Sequence, residues 1–374
     1  MKTTSFIKKR PSQYFGLLLA GTILLGAAGH CACAQETAGD TRVVSVDLSS
    51  VPRQTNVVAT LEGHTSWVTG VACSPNGETL FTASHDETAR LWSLSDFKLL
   101  HTLNDPRQSL WNADFSTDGS MVISGGDDQC IFLWDASSGA LTATYPPRPG
   151  QDWFEQQIFQ EPTVEHEGRI EGVAFSPDGK RVIASGDGRK AVVWDVRTRK
   201  SPFQLLGHKA SIHGVDFSPD GRWIATGDWN AMVRIWKAAD GELVHSIEGL
   251  KSGVEYLMFS RDSSMLVCAV MSGQVLIVDP NTGREIRRID GIKGGVMAVA
   301  ISPDQKLIVA QAGIDAVILD VATGQPKVIL AGHTATIDAV TFSPDSKWAI
   351  TGGLDGKVKI WDISRFNAKE SHDH

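Results

Sequence analysis

From about Asn56 onward the chain is written in short runs that alternate apolar and polar residues, such as GVAFS and AVTFS, each followed by a second run such as RVIAS or WAITG. A period of two puts alternate side chains on opposite faces, so these runs predict half-buried strands and not helices. Between the members of each pair stands a Ser-headed string: SPNG at Ser74, STDG at Ser116, SPDG at Ser176 and Ser218, SRDS at Ser260, SPDQ at Ser302 and SPDS at Ser343. Pro pre-sets the backbone angle of a tight turn, and Asp and Gly tolerate its remaining positions, so each pair is a hairpin. The seven turns recur at intervals of 42, 60, 42, 42, 42 and 41 residues, which is an internal repeat with one insertion.

Counting outward from each turn fixes the register of the repeat. Ten residues before the Ser lie His64, His166, His208 and His333; twelve after it lie Asp86, Asp128, Asn230 and Asp355; eighteen after it lie Trp92, Trp134, Trp194, Trp236 and Trp361. A unit of this length carrying Gly-His and then Trp-Asp resembles the WD40 repeat, and the resemblance runs from about Asn56 to Ile363. It implies an all-β fold, a seven-bladed propeller of four-stranded antiparallel blades.

The resemblance further implies that Trp, a Ser or Thr, His and Asp form one hydrogen-bonded chain inside a blade. By position, blade one supplies His64, Thr82, Asp86 and Trp92, and blade seven His333, Thr351, Asp355 and Trp361. Blade four supplies His208, Thr226, Asn230 and Trp236; blade two keeps Ser124, Asp128 and Trp134 but has Pro106 in the His slot. Blade three retains His166 and Trp194 beside Ala184 and Gly188. Blades five and six lose the set, with Leu250, Cys268, Ser272 and Val278 in one and Ile292, Ala310 and Leu319 in the other, and should rest on apolar packing. The chemistry stands without the family, because a buried indole N–H, hydroxyl, imidazole and carboxylate each need a partner and together satisfy one another. Blade seven has three strands of its own, so NVVATL, 56–61, is expected to supply the fourth and seal the ring.

The ends change the picture. A basic start (Lys8, Lys9, Arg10), an uncharged apolar run over 14–29 and the small residues Ala32-Cys33-Ala34 read as a secretory signal over 1–34, with a retained membrane anchor as runner-up. Residues 35–55 are expected to be linker, 56–363 the propeller, and 364–374 a polar tail. The expected compartment is periplasmic or extracellular, with no membrane insertion after cleavage. The leader holds four cations and no acid, so its removal takes the net charge from −8 to −12. An acidic chain without a basic cluster is a poor ligand for phosphate backbones, which argues against nucleic acid. Three dispersed cysteines, Cys73, Cys130 and Cys268, make no disulfide framework.

Chemistry along the chain is sparse. Thr82, His64 and Asp86 resemble a catalytic triad, but the trio recurs in blade seven and in Asn form in blade four, as a structural motif would and a catalytic one would not. His372-Asp373-His374 is a solvated tail rather than a metal site, and no metal, cofactor or phosphate-loop spacing occurs. Better candidates lie on the face carrying the loops before strand one and between strands two and three: Trp67, His85, Trp111, Arg169, His213, Trp229 and Met271. Aromatic residues and Arg are common binding anchors because they bury much area at little entropic cost. The insertion, 146–163, adds Trp153 and Phe154 to this set, as a lid or as a gripping loop. The expected function is a monomeric, non-enzymatic scaffold for a protein or peptide. Two alternatives remain: a structural envelope component, and an exported enzyme or redox partner using the central channel. For the latter the aligned positions Thr69, Trp111, Glu171, His213, Glu255, Met297 and Asp338 provide a thin polar cluster.

Overall fold

The computed structural model describes residues 42–145 and 168–366. Seven antiparallel sheets follow one another along the chain as the blades of a β-propeller, with blades one to six spanning 68–103, 114–145, 170–205, 212–247, 254–290 and 299–331. Blade seven takes Ile337–Phe342, Trp348–Gly353 and Val358–Asp362 from the C-terminal end and Ala59–Leu61 from the N-terminal end. Ala59 pairs with Ile360 and Leu61 with Val358, so early residues close the ring against late ones. The leader, the insertion with Trp153 and Phe154, His166 and the tail beyond Phe366 lie outside the described residues.

The turn chemistry explains the repeated Ser. In all seven hairpins its hydroxyl accepts the amide five residues on and donates to the Asp or Asn side chain two residues on, at 2.6–2.7 Å. Each turn is thereby tied into a local hydrogen-bonded knot that fixes strand register before any tertiary contact forms.

The cores lie between neighbouring blades. Phe81, Leu91 and Leu103 of blade one pack against Phe115, Phe132 and Trp134 of blade two, and equivalent clusters join each later pair. Burying Val, Ile and Phe on both faces of a sheet supplies the main driving force, about 25 cal/mol per Å² of apolar surface.

The stretch expected to be linker carries structure of its own. Arg42–Ser45 runs parallel to Glu285–Asp290, and Arg53–Gln54 runs parallel to Pro326–Ala331, so blades five and six each gain a fifth, outer strand. Val44 and Val46 are buried in the core shared by those two blades. Both blades lack the His–Thr–Asp–Trp relay, and the strap covers their free edges.

Candidate functional site

Three blades contain complete polar networks. In blade one Trp92 Nε1 donates to Thr82 Oγ1 at 3.0 Å, and His64 lies 2.8 Å from both Thr82 and Asp86. Blade seven repeats this, with Trp361 donating to Thr351 at 3.0 Å and His333 at 2.8 Å from Thr351 and 3.0 Å from Asp355. Burial lowers the affinity of His64, His208 and His333 for a second proton, and the carboxylates only partly oppose it. Each ring is therefore neutral near pH 7. Its Nδ1–H donates to the acid and its Nε2 accepts the hydroxyl proton.

Two positions differ from expectation. In blade four the acid on His208 is Asp228, at 2.7 Å, and not Asn230. Asp228 is almost fully buried and also accepts the amides of Asn230 and Met232, whereas the Asn230 side chain is exposed. The turn is built so that a carboxylate two residues earlier reaches the same imidazole. In blade two Ser124 does not hold Trp134: its hydroxyl donates to the Asn112 carbonyl, and Trp134 Nε1 donates to Asp105 at 3.0 Å. With Pro106 in the His slot, the neighbouring carboxylate replaces the whole relay. Asp128 instead accepts the Cys130 amide within its own turn.

The loop-bearing face gathers most of the predicted binding residues. Trp67 stacks on His85 with centroids 4.8 Å apart, His85 meets Trp111 edge-on at 4.2 Å, and the Arg169 guanidinium sits 5.2 Å above Trp111. That row crosses blades one, two and three. Trp67 is 42% exposed at its open end. A second group lies across blades four and five: His213 stacks on Trp229 at 4.4 Å, and Trp229 Nε1 donates to Glu255 at 2.7 Å. Met271 follows Leu266–Val270 on blade five and is half-buried, its amide donating to the Gly253 carbonyl at 3.0 Å.

The two groups flank the mouth of the central channel, where Thr69, Trp111, Glu171, His213, Glu255 and Asp338 line one cavity. Six of the seven aligned channel positions thus come together. The seventh, Met297, engages blade six through its amide, which donates to Gln311 Oε1 at 2.9 Å. Arg169 pairs with Glu171 at 2.5 Å and with Asp187 at 3.2 Å. Burial pushes the Glu171 carboxyl up to about 7 against the pull of His213 and Arg169. Asp338 also rises to about 7, from burial and then from repulsion by Glu255 and Glu171.

Deeper in the ring, Asp114 accepts the Phe175 amide and Asp216 the Phe259 amide, both at 2.8 Å. Each carboxyl ties its blade to the next. Burial raises them to about 7 and about 8. Both stand two residues before a turn Ser, where other repeats have Ala, Met or Thr. An acid in an apolar slot is a legible signal once the repeats are aligned. Burial likewise pushes the Cys73 thiol up to about 12, so it is a packing residue and not a nucleophile.

The family model described as WD domain, G-beta repeat matches residues 55–93, 97–135, 159–195, 199–237 and 324–362, together more than half of the chain. The chain belongs to the WD-repeat family. It is similar to eukaryotic translation initiation factor 3 subunit I of Scheffersomyces stipitis, at 30% identity over 34% of this chain and 31% of the relative. It is also similar to small ribosomal subunit protein RACK1 of Drosophila melanogaster, at 27% over 38% of this chain and 40% of the relative, and to protein hir-1 of Neurospora crassa, at 30% over 33% and 13%. The matched region spans less than half the length of each of these relatives. The unmatched stretch 238–323 in the family comparison contains blade five and the first three strands of blade six, and both blades lack the His–Thr–Asp–Trp relay.

Proposed function

We propose that this WD-repeat chain is a non-enzymatic platform that binds another protein or peptide through its loop-bearing face. One observation carries the reading: the Trp67–His85–Trp111–Arg169 row crosses three blades and ends in a half-exposed indole. By contrast Trp92, Trp134, Trp194, Trp236 and Trp361 are buried in blades. Exposed aromatic area held rigidly by closed sheets binds without a large ordering cost. One relative is by name a subunit of a translation initiation factor and another a protein of the small ribosomal subunit, which agrees with a scaffold that works inside assemblies. We read the site of action as outside the cytoplasm, on the strength of the basic-apolar leader over 1–34. Mass spectrometry of the mature N-terminus tests that part, and an intact Met1 in the exported fraction would reject cleavage.

The platform reading is tested by crosslinking and affinity capture with wild type and Trp67→Ala/Trp229→Ala. Loss of a specific crosslinked partner is expected. Equal recovery of every partner by the double variant rejects this face.

A further inference from the structure

We propose that the mouth of the central channel is a receptor for one cationic side chain of the partner, an arginine guanidinium or a lysine ammonium, held by Glu171, Glu255 and Asp338 and by the open nitrogen of His213. The inference rests on the platform reading and names the chemistry at its centre.

Four observations lead there. Inner strands of three different blades bring Glu171, Glu255 and Asp338 to one cavity, and among the described residues the cations paired with them there are Arg169, already shared between Glu171 and Asp187, and His213. Next, His213 is 5% exposed, and its Nε2 has no hydrogen-bond partner although it lines that cavity. Its Nδ1 lies 3.2 Å from Glu255 and 3.9 Å from Glu171, so the ring donates there. In the neutral ring Nε2 is then an acceptor with nothing to accept. A buried acceptor left unmatched costs about 1–3 kcal/mol, and an incoming N–H removes that cost.

The third observation is size. The cavity is about 70 Å³, which admits the end of one side chain and no folded element. Fourth, the lining suits a delocalised cation: it includes His213, itself stacked on Trp229, and Trp111, which already carries a guanidinium over its face. A metal ion is the poorer fit, because among the described residues no three His, Cys, Asp or Glu side chains are arranged to hold one.

Proton bookkeeping follows from the same groups. Burial raises both Glu171 and Asp338 to about 7, with Glu255 and Asp187 adding repulsion at the first and Glu255 and Glu171 at the second, and the carboxylates hold His213 above its usual range despite burial. The other ionisable neighbours are Tyr256 on the cavity lining, whose burial keeps it a neutral phenol, Asp187 beside Arg169, Asp127 beside Trp111, and His85, whose burial keeps it neutral. An arriving cation favours the carboxylates over the acids and the neutral imidazole over imidazolium, so it expels protons. Binding therefore tightens as pH rises through about 7.

The experiment uses the full chain and three blocked tripeptides, acetyl-Gly-X-Gly-amide, with X as arginine, lysine or neutral citrulline. Binding is read from the fluorescence of the channel tryptophans and confirmed by calorimetry at pH 6 and pH 8. The expected result is that at least one cationic peptide binds ten-fold or more tighter than the citrulline peptide, and tighter at pH 8. Glu171→Gln and Asp338→Asn, checked for unchanged melting, should each weaken it by five-fold or more. Comparing arginine with lysine identifies the preferred group. Equal binding of citrulline, or no binding of either cation to folded wild type, overturns the proposal. Trp67→Ala, which leaves every side chain lining the cavity in place, separates the two readings. If it loses the crosslinked partner while Glu171→Gln keeps it, the face stands and the cation receptor falls. If the cationic peptides bind but neither variant affects partner recovery, the platform falls.

Discussion

Blade four offers a decisive substitution pair, Asp228→Ala against Asn230→Ala. Asp228 accepts from His208 Nδ1 at 2.7 Å, from the Asn230 amide at 2.9 Å and from the Met232 amide at 3.1 Å. Its loss leaves the buried His208 N–H without an acceptor and unties the turn. Behind His208 stand the Thr226 hydroxyl at 2.7 Å and Trp236 at 2.8 Å, so the loss propagates through the blade. With the imidazole neutral, leaving its buried N–H unmatched costs about 1–3 kcal/mol and losing the two turn bonds about 1 kcal/mol each, so about 3–5 kcal/mol together. For a domain of this size each kcal/mol lowers the melting temperature by roughly 2 °C, so a fall of ~6–10 °C is expected. Asn230→Ala deletes only an exposed side chain and should stay within ~0.5 kcal/mol, about 1 °C. Asp228→Asn keeps an oxygen for His208 and should fall between the two. Differential scanning calorimetry on matched preparations reads all three. The reasoning is refuted if Asn230→Ala melts as low as Asp228→Ala, or if Asp228→Ala melts within 2 °C of wild type.

Other perturbations probe the remaining features. Asp105→Ala should orphan Trp134 Nε1 and cost about 1–3 kcal/mol in urea unfolding, whereas the same change in a Trp134→Phe background should cost less; additive effects would contradict the bond. Asp216 has a folded pKa raised to about 8 over its unfolded value, so its contribution is complete below about pH 4 and is lost as pH rises through 8. Asp216→Asn retains an acceptor for the Phe259 amide and should flatten the decline in melting temperature between pH 6 and 9; an unchanged slope argues against this assignment. Deleting residues 42–55 exposes Val44, Val46 and two blade edges, and burial of those side chains alone implies a loss of roughly 3–5 kcal/mol. Melting unaltered by the deletion would show that the strap contributes nothing.

The ring was readable because its information is local. Each Ser turn, alternating run and Trp recurs at fixed spacing, and seven copies leave one architecture. Closure was readable for a related reason: blade seven lacks a strand and 56–61 resembles one. Asp228 was hidden because the residue that reaches His208 depends on the path of a tight turn, which a fixed count of twelve cannot follow. Asp105 was hidden behind Pro106 in the same way. The strap over blades five and six leaves no periodic trace, since two-residue and four-residue parallel pairings at an edge need only one inward side chain, Val44. The channel was half legible. Alignment placed Glu171, His213, Glu255 and Asp338 on one level, but only the fold shows that His213 Nε2 is left unmatched.

The outer strap has a consequence for how the molecule is assembled. Residues 42–61 leave the ribosome before every blade they join, since their partners begin at Arg287 and end at Ile360. This early segment must therefore wait, unpaired, until the strands from Arg287 to Ile360 have been synthesised. Joining residues so distant in sequence makes the final step slow and late. Any cell handling this chain has an interval in which it is still a thread, with its clasp open at the leading end.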